Sequence, residues 1–238
     1  VVSARLRELA WRHTPMGEIS LRVRVEPTLG VEVYEVKLGE EFLMSSLFTV
    51  AEVELARLGL AAHTGTGPLD VVVGGLGLGF TAHAALAQAR VGSLVVVEAL
   101  ADVVDWHRRD LVPGGARLVG DPRTTLLTGD FFALVAEGTG FDPADPVRRY
   151  DVVLLDVDHT PSHVLHPSHS GFYTPAGLAR LRALLREGGV LAVWADTGPD
   201  EQFVAALRSV FEQVDAEQVR FDNPLTGGES SNWVYLGR

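Results

Sequence analysis

The chain contains no cysteine, which excludes disulfide scaffolds, thiolate metal centres and cysteine nucleophiles. Lys37 is the only lysine, so Schiff-base chemistry has one position open to it. Basic residues are scarce overall: 20 Lys and Arg face 31 Asp and Glu, for a net charge of −11. That balance argues against a nucleic-acid surface and favours small or cationic partners. No apolar run reaches the ~20 residues that cross a bilayer, and residues 1–30 carry no signal-peptide pattern. A soluble, cytoplasmic protein without membrane partners is expected. What is present is apolar mass: 47% of 238 residues are hydrophobic, enough for one good core and a small appendage.

The pattern changes near residue 68. Before it, Ile19–Val25 and Val31–Val36 alternate apolar and polar residues, and Phe42–Met44 does so less cleanly. Turns at Pro27/Gly30 and Gly39-Glu40 make this a small antiparallel meander. Val50, Val53, Leu55 and Leu58 then sit at helical spacing. A Gly/Pro linker, His63–Pro68, closes the section. From Leu69 strand and helix alternate, with strands expected at Val71–Val73, Leu94–Glu98, Thr124–Leu127, Tyr150–Asp156 and Val190–Trp194. Helices should begin near Thr81, Leu100, Asp130, Thr174 and Asp200. Thr174-Pro175 reads as an N-cap and first helical residue, with Gly188-Gly189 as the stop. Such alternation implies a parallel sheet covered on both faces. The final strands, Val214–Phe221 and Trp233–Leu236, are joined by too short a loop for a crossover helix and must be antiparallel. The fold class is therefore α/β, Rossmann-like, with a terminal antiparallel hairpin and a β-rich section over residues 1–68.

The glycine-rich turn in Val73-Gly-Gly-Leu-Gly-Leu-Gly79 carries the first functional signal. Gly75, Gly77 and Gly79 strip the backbone of side chains between a buried strand and a helix N-terminus, a place suited to a nucleotide-type ligand. The dinucleotide fingerprint fails because Phe80 stands where its last glycine would be, and no Lys-Ser/Thr completes a phosphate loop. G-x-G-x-G is the spacing of enzymes that use S-adenosylmethionine (SAM).

Ligands of open α/β sheets bind beyond the carboxyl ends of the strands, and three of those ends carry an acid. Glu98 closes the second strand, where a carboxylate accepts ribose hydroxyls. Asp130 follows the third, placed to accept from an adenine amino group with Phe131 or Phe132 flanking the ring. The same position suits a helix N-cap. Asp156 ends the fourth strand in Asp156-Val-Asp-His-Thr-Pro161, with Asp158 and His159 beside it. A carboxylate there can orient or deprotonate an amine or hydroxyl nucleophile. His163, His166 and His169 follow, but Pro161 and Pro167 break the helix that would align them. A lid over the substrate is expected there, and no metal.

Across most of its length the sequence resembles the spermidine synthase (polyamine aminopropyltransferase) family, and especially its methyltransferase-like relatives. The matching stretches are the β-rich start, Val73–Gly79, Gly129-Asp130, Tyr150–Asp156, Phe172-Tyr173 and Leu185–Leu191. The resemblance implies residues 69–238 as a SAM-binding catalytic domain, decarboxylated SAM or SAM as cofactor, and a homodimer paired through the N-terminal strands. The departures are informative. Aminopropyltransferases carry Gly-Gly-Gly-Asp-Gly-Gly in the loop, and that Asp holds the ammonium of decarboxylated SAM; here the position is Gly77. Their Asp-Ser-Ser/Thr-Asp-Pro becomes Asp156–Pro161, keeping the first acid and placing His159 at the second. Their Tyr-His-Glu is not reproduced around Thr49–Glu54. Methyl transfer from intact SAM to an unidentified small molecule is the favoured expectation, with Asp156, Asp158 and His159 acting on the nucleophile. Aminopropyl transfer to a polyamine and a non-catalytic SAM-fold binding protein are the alternatives.

Overall fold

A computed structural model describes residues 6–14 and 16–238 of the chain. Four strands, β1 (Leu6–Thr14), β2 (Gly17–Val25), β3 (Glu32–Leu38) and β4 (Glu41–Ser45), form an antiparallel sheet in the order 1-2-3-4. Strand β1 is absent from the alternation pattern because its register shifts between Glu8 and Ala10. Such a bulge puts one extra residue in the strand and breaks the period of two.

Helix α1 (Val50–Ala62) leads into β5 (Leu69–Gly74), α2 (Phe80–Leu86), β6 (Val91–Glu98), α3 (Ala101–Arg108), α4 (Gly115–Gly120), β7 (Thr124–Thr128) and α5 (Phe131–Glu137). Then come β8 (Tyr150–Leu155), α6 (Pro175–Ala183), β9 (Leu185–Ala195), α7 (Glu201–Arg208), β10 (Val214–Asn223) and β11 (Gly228–Gly237). The seven strands β5–β11 form one sheet in the order 10-11-9-8-5-6-7. Strands β5 to β9 are parallel to one another, and the β10–β11 hairpin joins β9 antiparallel.

Both faces of this sheet are covered, and neighbouring side chains divide between them. Val71, Val73, Leu94, Val96, Val152 and Leu154 pack into one core. Val72, Val95, Val97, Val153 and Leu155 pack into the other, with α5, α6 and α7. That period of two accounts for the continuous Val/Leu runs of β5, β6 and β8. At the amino ends of these strands Arg186 bonds Asp70 (2.5 Å) and Asp151 (2.6 Å), while Arg148 also reaches Asp70 (3.1 Å). Side chains from β5, β8 and β9 are thereby tied at the edge opposite the ligand side.

Two expectations need correction. Helix α1 buries Ala51, Leu55, Ala56, Gly59 and Leu60, whereas Val50 and Val53 are each 43% exposed. A Cβ on Gly59 would overlap Leu154 and Ala192, so the helix lies against β8 and β9 on its smallest residues. Although grouped by sequence with residues 1–68, α1 packs on the large sheet. Gly188-Gly189 does not stop α6 either. The helix ends at Ala183 with Leu184 as its C-cap, and both glycines lie within β9. The remaining caps are where their sequences put them. Asp130 accepts from Phe132 N and Ala133 N, Thr174 from Gly177 N, and Asp200 from Gln202 N and Phe203 N.

Candidate functional site

A cavity of about 270 Å³ opens along the carboxyl ends of the parallel strands, roofed by β3, β4 and the loop 157–173. Its floor runs from Trp194 on β9 through Asp156 after β8, Gly75 and Gly77 after β5 and Glu98 on β6, to Asp130 after β7. Five strands at ~4.8 Å spacing make a trough about 19 Å long, the reach of an extended nucleoside derivative. Among the described residues that line it there is no lysine or arginine, while Glu52, Glu98, Asp130 and Asp156 all do. Such a lining favours a cation over an anion.

The glycine turn is held in a left-handed backbone form that strongly favours glycine. Gly75, Gly77 and Gly79 have φ of 95°, 48° and 87°. A Cβ on Gly75 would strike the Asp156 carbonyl, and one on Gly77 would overlap Met44 Sδ. Met44, from β4, also accepts from Leu78 N at 3.0 Å. The buried His107 of α3 donates from Nε2 to the Gly77 carbonyl at 2.9 Å. Burial pushes its imidazole below the ordinary range, so it holds the turn as a neutral donor. Neither Met44 nor His107 is legible as a site residue from sequence, because each reaches the turn from a distant element.

Glu98 accepts from Leu76 N (3.0 Å) through one oxygen and Leu100 N (2.9 Å) through the other. Burial pushes this carboxyl up, opposed by those backbone donors. The carboxyl borders the cavity, where it can accept from a diol. Asp130 caps α5 through Oδ1, at 2.9 Å from Phe132 N and 3.2 Å from Ala133 N. Its Oδ2 takes no hydrogen bond among the described residues. Phe131 is buried and stacked on Phe141, with its ring also bordering the cavity.

Asp156 accepts from the Thr81 hydroxyl of α2 at 2.6 Å. Burial pushes its carboxyl up to about 6, with Thr81 pulling in the other direction. Across from it lies Glu52 of α1, without a side-chain partner among the described residues. Its carboxyl is pushed up to about 8, first by burial and then by the Asp156 charge. Two carboxyls raised in this way hold one proton between them near neutrality. Glu52 is a site residue the sequence did not disclose: of the apolar residues at helical spacing Leu55 is buried and Leu58 packs on the core, but Val50 and Val53 face outward and do not mark the side on which Glu52 lies. The Trp194 indole N–H, buried without a partner among the described residues, lies in the same cavity.

Because Glu52 is raised above its ordinary 4.5, the folded state binds more protons than the unfolded chain between pH 4.5 and 8. Stability from this group therefore falls as pH rises through that window. Glu52→Gln should raise Tm by roughly 3–6 °C at pH 8 and by little at pH 4.5. An equal Tm difference at both pH values would show that the carboxyl is not strained by burial.

Asp158 is not where the sequence placed it. It is 2% exposed, points away from the cavity, and accepts from Leu165 N (2.7 Å), His169 Nδ1 (2.8 Å) and the Tyr173 hydroxyl (2.9 Å). Period-two alternation would put Asp156 and Asp158 on one face, but β8 ends at Leu155 and the chain leaves the strand there, so the two acids part and Asp158 serves as the anchor of the loop. His159 does border the cavity, with Nε2 at 3.4 Å from Glu41 of β4. His163, His166 and His169 do not converge. His163 faces His159, His166 binds Ser168, and His169 binds Asp158.

A parallel sheet with a reversed terminal hairpin, a glycine turn after its central strand and acids on the next two strand ends defines a Rossmann-like nucleotide-binding type of fold. No known family profile matches the chain. Spermidine synthase from Thermotoga maritima superposes with a TM-score of 0.70 at 17% identity, over 97% of this chain and 72% of its own. A spermidine synthase in complex with the transition-state analogue AdoDATO gives 0.72 at 17% identity, over 97% and 73%. Polyamine aminopropyltransferase 2 of Pseudomonas aeruginosa is 31% identical over 179 residues, 71% of this chain and 46% of its own. Putrescine N-methyltransferase 2 of Nicotiana tabacum is 31% identical over 150 residues, 61% and 39% of the respective chains. The chain spans about half or less of the length of these curated relatives. It has a spermidine synthase-like fold and is related in sequence to polyamine-modifying transferases.

Proposed function

We propose that the protein is a SAM-dependent methyltransferase acting on a small amine. One observation carries the preference for methyl transfer: the space a side chain would need at position 77 is filled by Met44 Sδ. The acid that resemblance associates with the ammonium of decarboxylated SAM is missing, and Met44 closes the place it would occupy. The relationship to putrescine N-methyltransferases supports an amine acceptor, as does a trough with four carboxylates and no lysine or arginine along its described lining.

The residues present fit the cofactor. Gly75, Gly77 and Gly79 admit the methionyl part, Glu98 takes the ribose hydroxyls, and Asp130 Oδ2 accepts from the purine amino group beside Phe131. Bound there, SAM supplies a methyl group on an electrophilic sulfonium. An amine is protonated in water and must lose a proton before its lone pair can attack. Asp156 takes that proton, and Glu52, which holds the pair's one proton near neutrality, leaves Asp156 as the charged carboxylate that draws the ammonium in. Trp194 and the apolar residues Val36, Leu38 and Leu43 cover the substrate and exclude water. Alignment of nitrogen, methyl and sulfur supplies most of the acceleration.

Aminopropyl transfer is the second reading, favoured by the aminopropyltransferase of Pseudomonas aeruginosa as a relative. Calorimetry with SAM and with decarboxylated SAM separates the two. Tighter binding of SAM, with methylated diamine formed from putrescine or a related amine, is the expected result. Binding of the decarboxylated form alone would overturn methyl transfer.

A further inference from the structure

The mechanism above leaves the most buried polar group of the roof unused. The Asp158 side chain is fully buried and that of His169 is 6% exposed, and the two are joined at 2.8 Å. An ionised carboxylate only accepts, so the imidazole must donate from Nδ1. Tyr173 donates as well: burial and the Asp158 charge hold its hydroxyl well above the ordinary range, so it keeps its proton. With the Nδ1 proton committed to Asp158, the tautomer so fixed offers Nε2 as its acceptor. Among the described residues that nitrogen has no partner, it is not sealed from solvent, and His169 borders the cavity.

The ring is also fixed in orientation. It lies on the face of Phe132, with centroids 3.9 Å apart and planes 20° from parallel. Phe132 follows Asp130 and Phe131 at the carboxyl end of β7, so His169 roofs the far end of the trough from Asp156. The neighbouring titratable group on the loop, His166, is 5.9 Å away ring to ring, and its Nδ1 is taken up by Ser168. Asp130 Oδ2 is the other free acceptor at this end.

We propose that His169, held in one tautomer by Asp158, reads the exocyclic amino group of a 6-aminopurine ligand by accepting one of its protons at Nε2. Asp130 Oδ2 accepts the other. A 6-oxo purine would turn a carbonyl oxygen towards both acceptors and be rejected. The inference rests on a nucleoside occupying this end of the trough, and it holds for methyl or aminopropyl transfer alike.

The test is calorimetry with 5′-methylthioadenosine and its 6-oxo counterpart, 5′-methylthioinosine. The wild-type protein should prefer the 6-amino ligand by roughly 100-fold, two hydrogen bonds at about tenfold each. His169→Phe keeps the stack on Phe132 but removes the acceptor, and should reduce the preference about tenfold. A role confined to anchoring the loop would weaken both ligands equally, and an unchanged ratio overturns the proposal. Failure of the wild-type protein to bind 5′-methylthioadenosine would instead overturn the nucleoside site itself. Nitrogen NMR of the unmodified protein gives a readout that does not depend on the variant folding. The His169 Nε2 resonance should move upfield with the 6-amino ligand, and an unmoved resonance in a saturated sample overturns the proposal.

Discussion

Asp156→Asn should lower kcat for methylation of the amine by about 10²–10⁴-fold while leaving affinity for the cofactor product within a few-fold. The asparagine carbonyl can still accept from the Thr81 hydroxyl, so the turn after β8 keeps its local bond. What disappears is the proton acceptor. The wild-type carboxyl is pushed up to about 6 by burial, with Thr81 opposing. A base works only when unprotonated, so wild-type kcat should rise as pH increases through about 6 and then level off. The variant should lack that limb. Stopped assays from pH 5 to 8 would show it, and a variant with the wild-type rate and profile would remove Asp156 from the chemistry.

The second large effect is expected at Gly77. Aspartate is among the few residues that visit positive φ, so the 48° backbone angle alone is tolerable. The obstacle is Met44, whose sulfur stands where the new Cβ would be and accepts from Leu78 N. Gly77→Asp should cost about 1–3 kcal/mol through overpacking, with SAM affinity reduced as the turn shifts. Adding Met44→Ala should recover most of the stability and change the cofactor preference. With room for the carboxylate, decarboxylated SAM should gain affinity relative to SAM. Thermal denaturation and calorimetry on the single and double variants give both answers. If Gly77→Asp alone melts with the wild type, Met44 does not control that space.

How the chain divides into strands and helices was legible wherever a local cause sufficed. Valine and leucine runs made β5, β6 and β8, and Asp130, Thr174 and Asp200 capped the helices they precede. The short loop after Phe221 forced the antiparallel hairpin. Misses arose where a residue's role depends on what it touches. Strand β1 escaped because a bulge interrupts its alternation. Helix α1 was misread at Val50 and Val53 because the tight space against β8 and β9 selects alanine and glycine over valine. That misreading also concealed Glu52. Gly188-Gly189 read as a stop because glycine pairs end helices more often than they sit within strands.

The same division runs through the site. Glu98, Asp130, Asp156 and the glycine turn follow from sequence, since a parallel strand delivers the residues at the end of its apolar run to the carboxyl edge whatever surrounds them. Their partners do not. Met44 reaches position 77 from another sheet, Glu52 faces Asp156 from α1, His107 bonds the Gly77 carbonyl from α3, and Asp158 turns inward to hold His169. These contacts join residues distant in the chain or fix which way a side chain points, and both are set by packing rather than by local propensity. By itself the sequence determined a ligand trough lined with acids. Only the tertiary structure decided which acids face the cavity, which are spent on the framework, and that Met44 stands where a side chain at Gly77 would go.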